Sequence, residues 1–201
     1  LHDALPISHT QGEGMTEHEY FETLRGLLSP ALKDVPSPLG NSYIIQEQGQ
    51  KPFALNPVGL STHQGIKPDA HTGPWPCFLT QHPYAQLRCD RVVVAWDQSQ
   101  GHPKYLLVEL KSGHSGTAHK QLGASLALCH FIHQMVCVGQ VAPPIARFAA
   151  VTVWKLPQAI KSTSKPKLPP WNTLPLQPDC KHMHYERSKG SMPLKALWAT
   201  F

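Results

Sequence analysis

No stretch of this chain is apolar for the length of a membrane span, and no internal repeat divides it. Its five cysteines (Cys77, Cys89, Cys129, Cys137 and Cys180) are odd in number and include no CxxC pair, so neither a disulfide framework nor a zinc ribbon is suggested. No basic-then-apolar leader opens the sequence, and the expected setting is reducing and cytoplasmic, with no membrane partner. Acidic residues are the scarcer sign, 13 against 18 Lys and Arg, which leaves a formal charge of +5 and suits a polyanionic partner. With 201 residues and 41% hydrophobic composition the chain is long enough to bury a core as one domain.

The opening LHDALPIS resembles translated adapter sequence, so residues 1–14 are set aside as a non-native or disordered leader and Met15 is expected as the natural start. Thr16 to Glu19 form a capping box, and Tyr20, Phe21, Leu24, Leu27 and Leu28 recur at helical spacing behind it. Residues 42–46 (SYIIQ) and 53–55 are short strand candidates, and 65–83 read as loop. Residues 91–96 (RVVVAW) read as a buried strand, 97–103 (DQSQGHP) as a hairpin loop, and 104–110 as the returning strand. A long helix follows over 118–136, with Leu122, Leu126, Cys129, Ile132 and Val136 on one stripe, and 147–154 (RFAAVTVW) is a further strand. A strand joined through a helix to another strand makes a parallel crossover, so the predicted class is α/β with a mixed sheet. Beyond residue 154, six prolines by residue 178 and five lysines by residue 181 suggest a loosely packed arm, a Pro/Lys-rich extension to a core of residues 15–154.

The charges in KYLLVELKSGH, residues 104–114, stand out against that frame. Glu109 and Lys111 share one face of the strand. Antiparallel pairing brings the end of that strand beside the start of RVVVAW, where Asp90 sits, so two carboxylates and a lysine converge. Two carboxylates suffice to hold Mg²⁺, a hard cation that keeps several of its waters. Such an ion stabilises negative charge on a phosphodiester and acidifies bound water, while a nearby lysine orients or deprotonates that water.

Cys89-Asp90-Arg91 ahead of a β run, Val108-Glu109-Leu110-Lys111 closing the next, and a helix holding Lys120-Gln121-Leu122 resemble the PD-(D/E)XK nuclease superfamily. Cys89 stands where the motif has Pro. The resemblance covers about residues 16 to 154 and implies a restriction-endonuclease-like αβββαβ core, with a mixed central sheet flanked by helices. It implies Mg²⁺, replaceable by Mn²⁺, held by Asp90, Glu109 and the Leu110 carbonyl, with Lys111 activating water and Gln121 beside the carboxylates. Some relatives add a Glu from the first helix, for which Glu22 is the candidate. Ser112, His114 and Lys120 would lie against nucleic acid, most simply DNA, with cleavage leaving a 5′-phosphate. The same resemblance accommodates a homodimer or a larger phage-defence or repair assembly.

Two other readings remain open. A Glu-x-Lys pair is often just an exposed ion pair worth about 1 kcal/mol or less, and a non-catalytic nucleic-acid or protein-binding module on the same fold would tolerate it. The 13 histidines admit a zinc-binding structural protein through Cys180, His182 and His184, or a metal edge at Cys129, His130 and His133. Lys155, Lys161, Lys165 and Lys167 with Trp154 and Trp171 interleave cations and aromatics in a manner that suits flexible nucleic acid.

Overall fold

The Thr16 to Glu19 capping box forms as predicted: the Glu19 N–H donates to Thr16 Oγ1 at 3.3 Å, and the Thr16 N–H donates to Glu19 Oε2 at 2.9 Å. It starts helix α1 (Glu17–Leu27), whose Tyr20, Phe21 and Leu24 are buried. A computed structural model of the chain describes residues 14–38, 40–46, 51–70, 87–111, 117–154, 171–174, 177–186 and 190–201. Strands β1 (Lys33–Asp34), β2 (Tyr43–Ile45), β3 (Phe53–Asn56) and β4 (His63–Ile66) follow, then β5 (Arg91–Asp97) and β6 (His102–Lys111). Helix α2 (Ala118–Val136) leads to β7 (Arg147–Trp154), β8 (Asn172–Leu174), β9 (Gln177–Glu186), β10 (Ser191–Pro193) and helix α3 (Leu194–Trp198).

Seven strands form a mixed sheet in the order β1-β4-β5-β6-β7-β9-β8, and β10-β3-β2 form a second, smaller sheet. β4, β5 and β6 run antiparallel in succession, with Arg91 opposite Val108 and Asp97 opposite His102. Gly101, at φ +68°, closes the turn between β5 and β6, and its N–H donates to the Asp97 carbonyl at 2.8 Å. β6, β7 and β9 are parallel, so their carboxyl ends lie together. At about 1.5 Å per residue α2 spans roughly 28 Å, enough to carry the chain back along β6 and start β7 beside it.

Both faces of the large sheet are covered, which explains the uninterrupted apolar run of β5. Val92, Val94, Tyr105, Leu107 and Ala150 face the layer formed by α1 and α2. Val93, Ala95, Leu106, Val108, Leu110 and Val153 face the small sheet and α3. Glu109 and Lys111 therefore continue the helix-covered row of β6, while Leu110 anchors the opposite face.

Three expectations change. The loop expected over residues 65–83 is overturned at its start, because Gly65 belongs to β4, and residues 71–83 lie outside the described residues. Tyr43 lies so close over Gly65 that a Cβ would stand 2.4 Å from the ring, and only glycine keeps the strand there. The returning strand begins two residues earlier, at His102, and ends at Lys111. The loosely packed arm is overturned over its described part. β9 pairs with β7 through seven residues, and Cys180, Met183, Met192, Leu194 and Leu197 are buried. The period-two pattern of β9 was disguised because histidines stand at 182, which is buried, and at 184, which is partly buried. Lys155, Lys161, Lys165 and Lys167 lie outside the described residues, whereas Trp171 packs on Phe201 and donates to Thr200 Oγ1.

Candidate active site

β5 starts one residue after Asp90, and β6 runs past that start by three residues. The Asp90 carboxylate fills the resulting gap: the Leu110 N–H donates to Asp90 Oδ2 at 2.6 Å. In an extended strand the N–H and C=O of one residue point to the same edge, so the Leu110 carbonyl is also directed toward the Asp90 side. Asp90 is itself braced by Arg91, whose Nη1 donates to the Asp90 carbonyl at 2.8 Å. The rest of that guanidinium is committed to the Ile44 carbonyl at 2.8 Å and to the buried Asp34 carboxylate at 2.6 Å, which Lys67 also meets at 3.0 Å.

Glu109 is 1% exposed, an unusual place for a carboxylate. Lys111 Nζ lies 2.5 Å from Glu109 Oε1, while Glu109 Oε2 is buried with no hydrogen-bond partner among the described residues. Burial first, and the neighbouring Asp90 charge second, push the Glu109 carboxyl up to about 8 against the opposing pull of Lys111. Lys111 Nζ also donates to Gln121 Oε1 at 2.5 Å. Gln121 sits in the first turn of α2 and is held there by its own amide, which donates to the Arg88 carbonyl at 3.1 Å. Ser125, one turn further, accepts the Cys89 N–H at 2.7 Å and ties the approach to Asp90 onto the helix. β5, β6 and α2 thus each deliver one part of a single cluster.

Asp90, Glu109, Leu110, Lys111 and Gln121 are brought together as the sequence suggested. Lys120, next along α2, is exposed. Glu22 is placed otherwise: it is exposed on α1, and its carboxylate meets Arg25 at 3.5 Å. The geometry gives it to that surface pair, because Phe21 and Leu24 take the inward positions of the helix. Ser112 and His114 lie outside the described residues. Sequence reasoning missed the bracing role of Arg91 and Asp34, although an arginine heading an otherwise apolar buried strand was a visible signal. Nothing in the sequence marks Ser125.

The cluster suits a small hard cation. An orphaned carboxylate oxygen, a second carboxylate that raises its neighbour's pKa, and a backbone carbonyl on the same edge form an oxygen donor set whose repulsion a divalent ion relieves. Two of the histidines in the alternative metal readings hydrogen-bond elsewhere, whereas His184 Nδ1 is buried with no hydrogen-bond partner among the described residues. His133 Nδ1 lies 2.9 Å from the Tyr20 hydroxyl, and His182 Nε2 lies 2.9 Å from Thr152 Oγ1. Among the described residues no three His, Cys, Asp or Glu side chains converge as a metal-ligand set. A cavity of about 770 Å³ lies at the other end of the sheet, between Trp96, Asp97, Lys104, Arg147, Lys195, Trp198 and Phe201. Lys104 meets Asp97 there at 2.8 Å, away from this cluster.

No family model, curated protein or solved structure matches the chain. No helix among the described residues is long and apolar enough to cross a membrane.

Proposed function

We propose that the protein is a Mg²⁺-dependent nuclease of the PD-(D/E)XK kind, hydrolysing phosphodiester bonds of nucleic acid. The observation that carries the reading is the joining of Asp90, Glu109 and Lys111 at one sheet end, with Glu109 buried and half of its carboxylate unpartnered. A surface ion pair would be exposed and would not need Gln121 to orient its lysine. The order α1, β4, β5, β6, α2, β7, with an antiparallel run of three strands followed by a parallel one, supports a restriction-endonuclease-like αβββαβ core.

Mg²⁺, or Mn²⁺ in its place, would be held by Asp90, Glu109 and the Leu110 carbonyl, and it supplies charge stabilisation on the phosphate and a more acidic water. The chain's own residues set the geometry. Asp90 is fixed by the Leu110 N–H and by Arg91, so its carboxylate does not need to reorganise. Lys111, shared between Glu109 and Gln121, points its ammonium at the same spot and orients the attacking water beside the scissile phosphate. Gln121 gives Lys111 a second anchor that does not depend on Glu109, so the lysine would stay in place with Glu109 holding a cation. The protein's excess of basic residues favours approach of a polyanion.

Incubation of wild type, Asp90→Asn and Lys111→Ala with single-stranded DNA, duplex DNA and RNA, in Mg²⁺, Mn²⁺ and chelator, tests the reading. Cleavage is expected in metal with wild type alone. Cleavage that survives chelation or either substitution overturns it.

A further inference from the structure

The carboxyl end of the sheet carries a second group of side chains that the hydrolytic cluster does not use. Trp154 is the registered neighbour of Lys111 across β6 and β7, and Glu109, Thr152 and His184 form one row across β6, β7 and β9. Registered neighbours share a face, so Trp154 and His184 stand on the face that carries Glu109 and Lys111. At about 4.8 Å per strand, the Trp154 backbone lies about 5 Å from that of Lys111, and the His184 backbone about 10 Å from that of Glu109.

The two rings are stacked, with centroids 4.9 Å apart and planes inclined by 30°. They are braced from below. His182 meets the His184 ring edge-on at 4.8 Å, and His182 is in turn held by Thr152 Oγ1. Trp154 and His184 are both partly buried, so part of the stacked pair remains accessible while His182 holds it from beneath. Burial lowers the His184 pKa, which keeps the stack a pair of neutral rings near neutral pH. A strand end that only had to meet water would not need two aromatic rings locked through a chain of four side chains.

Resting on the nuclease reading above, we infer that Trp154 and His184 form a base-stacking platform beside the hydrolytic cluster, and that the substrate is therefore single-stranded or unpaired nucleic acid. Inside a duplex both π-faces of a base are covered by its neighbours, and offering one to a side chain means unstacking and unpairing it. A single strand presents its faces freely, and aromatic side chains take them with little regard to sequence. The separation of about 5 to 10 Å corresponds to one to three nucleotide steps at about 3.4 Å of stacked rise. A base held by Trp154 sets which phosphate meets Asp90, Glu109 and Lys111.

The test measures binding of wild-type protein in chelator to a labelled oligodeoxythymidylate, to the same strand with one abasic residue moved stepwise along it, and to a blunt duplex. The same strands are then followed for cleavage in Mg²⁺. Tighter binding of the single strand is expected, with a loss of roughly fivefold to a hundredfold confined to one or two abasic positions. Trp154→Ala should show the same loss on the intact strand, and Trp154→Phe should recover most of it. A flat abasic scan with wild-type protein overturns the platform whether or not the variants fold. So does equal cleavage of duplex and single strand, or Trp154→Ala binding as tightly as wild type. Metal-dependent cleavage without any Trp154 effect removes the platform and leaves the nuclease. Trp154-dependent binding with no cleavage in any metal removes the nuclease and leaves the platform as a binding surface.

Discussion

The Asp90 carboxylate accepts the Leu110 N–H at 2.6 Å, so a side chain does at the start of β5 what a backbone carbonyl does along the rest of the β5–β6 ladder. The bond joins the two ends of one hairpin and places a carboxylate beside Glu109. Structure and chemistry are thereby separable, because the bond needs an acceptor oxygen while a cation needs the charge.

Asp90→Asn keeps an acceptor for Leu110 and loses the charge. Its unfolding free energy in urea should stay within about 1 kcal/mol of wild type, while the cleavage rate falls at least ~100-fold, since a metal contributes several kcal/mol to such a reaction. Asp90→Ala should lose the same activity and about 1–2 kcal/mol more stability, because the Leu110 N–H is then left without its partner. Equal stability of the two variants would show that the bond contributes nothing.

Glu109 carries the opposite balance. Its carboxylate is buried, half unpartnered, and raised to about 8, so without a cation it weakens the fold that holds it. Glu109→Leu should therefore be inactive yet at least as stable as wild type in chelator, by ~1 kcal/mol or more if the apolar side chain packs against Leu107. Adding Mg²⁺ to about 100 times its dissociation constant should stabilise wild type by about 2.7 kcal/mol and leave Glu109→Leu unmoved. Thermal melts with and without Mg²⁺ check both halves, and a shift of equal size in the variant rules out Glu109 as a ligand.

How far the sequence led depended on how local each signal was. The α1 capping box, the RVVVAW strand and the α2 stripe were legible because each is written within one element, and the Asp90, Glu109, Lys111 set because strand alternation links Glu109 to Lys111 and hairpin pairing brings Asp90 to them. The other half of the sheet was not. β4 carries Gly65 for a reason that exists only once Tyr43 lies over it, and β9 buries His182 where the pattern looks for an aliphatic residue. Partners distant in the chain, such as Arg91 with Asp34 or Gln121 with the Arg88 carbonyl, follow from topology rather than from spacing. Glu22 misled because the resemblance supplies a Glu from the first helix without saying which face of that helix turns to the sheet, and here Glu22 is exposed and paired with Arg25.

Arg91 and Asp34 form a buried pair whose loss should be costly. Arg91→Ala leaves the 4% exposed Asp34 with Lys67 alone and removes the brace on the Asp90 carbonyl. The expected destabilisation is about 3–5 kcal/mol, read from the denaturant midpoint at unchanged slope. Asp34→Ala should cost a similar amount, and the double variant less than the sum of the two. Full additivity would mean that the two residues act independently.

Acid should loosen the fold well above the range in which carboxylates titrate. Burial, with the His184 neighbour adding to it, pushes the His182 imidazole down to about 4 from an ordinary 6.5. His63, His102, His130, His133 and His184 are lowered as well, burial being the leading cause in each. Below pH 6.5 the unfolded chain takes up protons that the folded chain refuses, so stability is full above 6.5 and declines as the pH falls toward 4. Asp97 acts in a lower window. Burial raises its pKa, but the hydrogen bonds from Lys104 and Ser99 outweigh that and bring it to about 2, so its contribution is lost between roughly 4 and 2. Glu109 runs the other way, because its raised pKa favours the folded state as the pH drops through 8. A pH profile of wild type alone therefore mixes signs, and His182→Gln isolates one of them. That variant keeps a neutral polar group opposite Thr152 and should remove on the order of 2 kcal/mol of the decline between pH 6.5 and 4, measured by urea unfolding at each pH. An unchanged slope would mean that His182 takes up its proton in the folded protein as readily as in the unfolded chain.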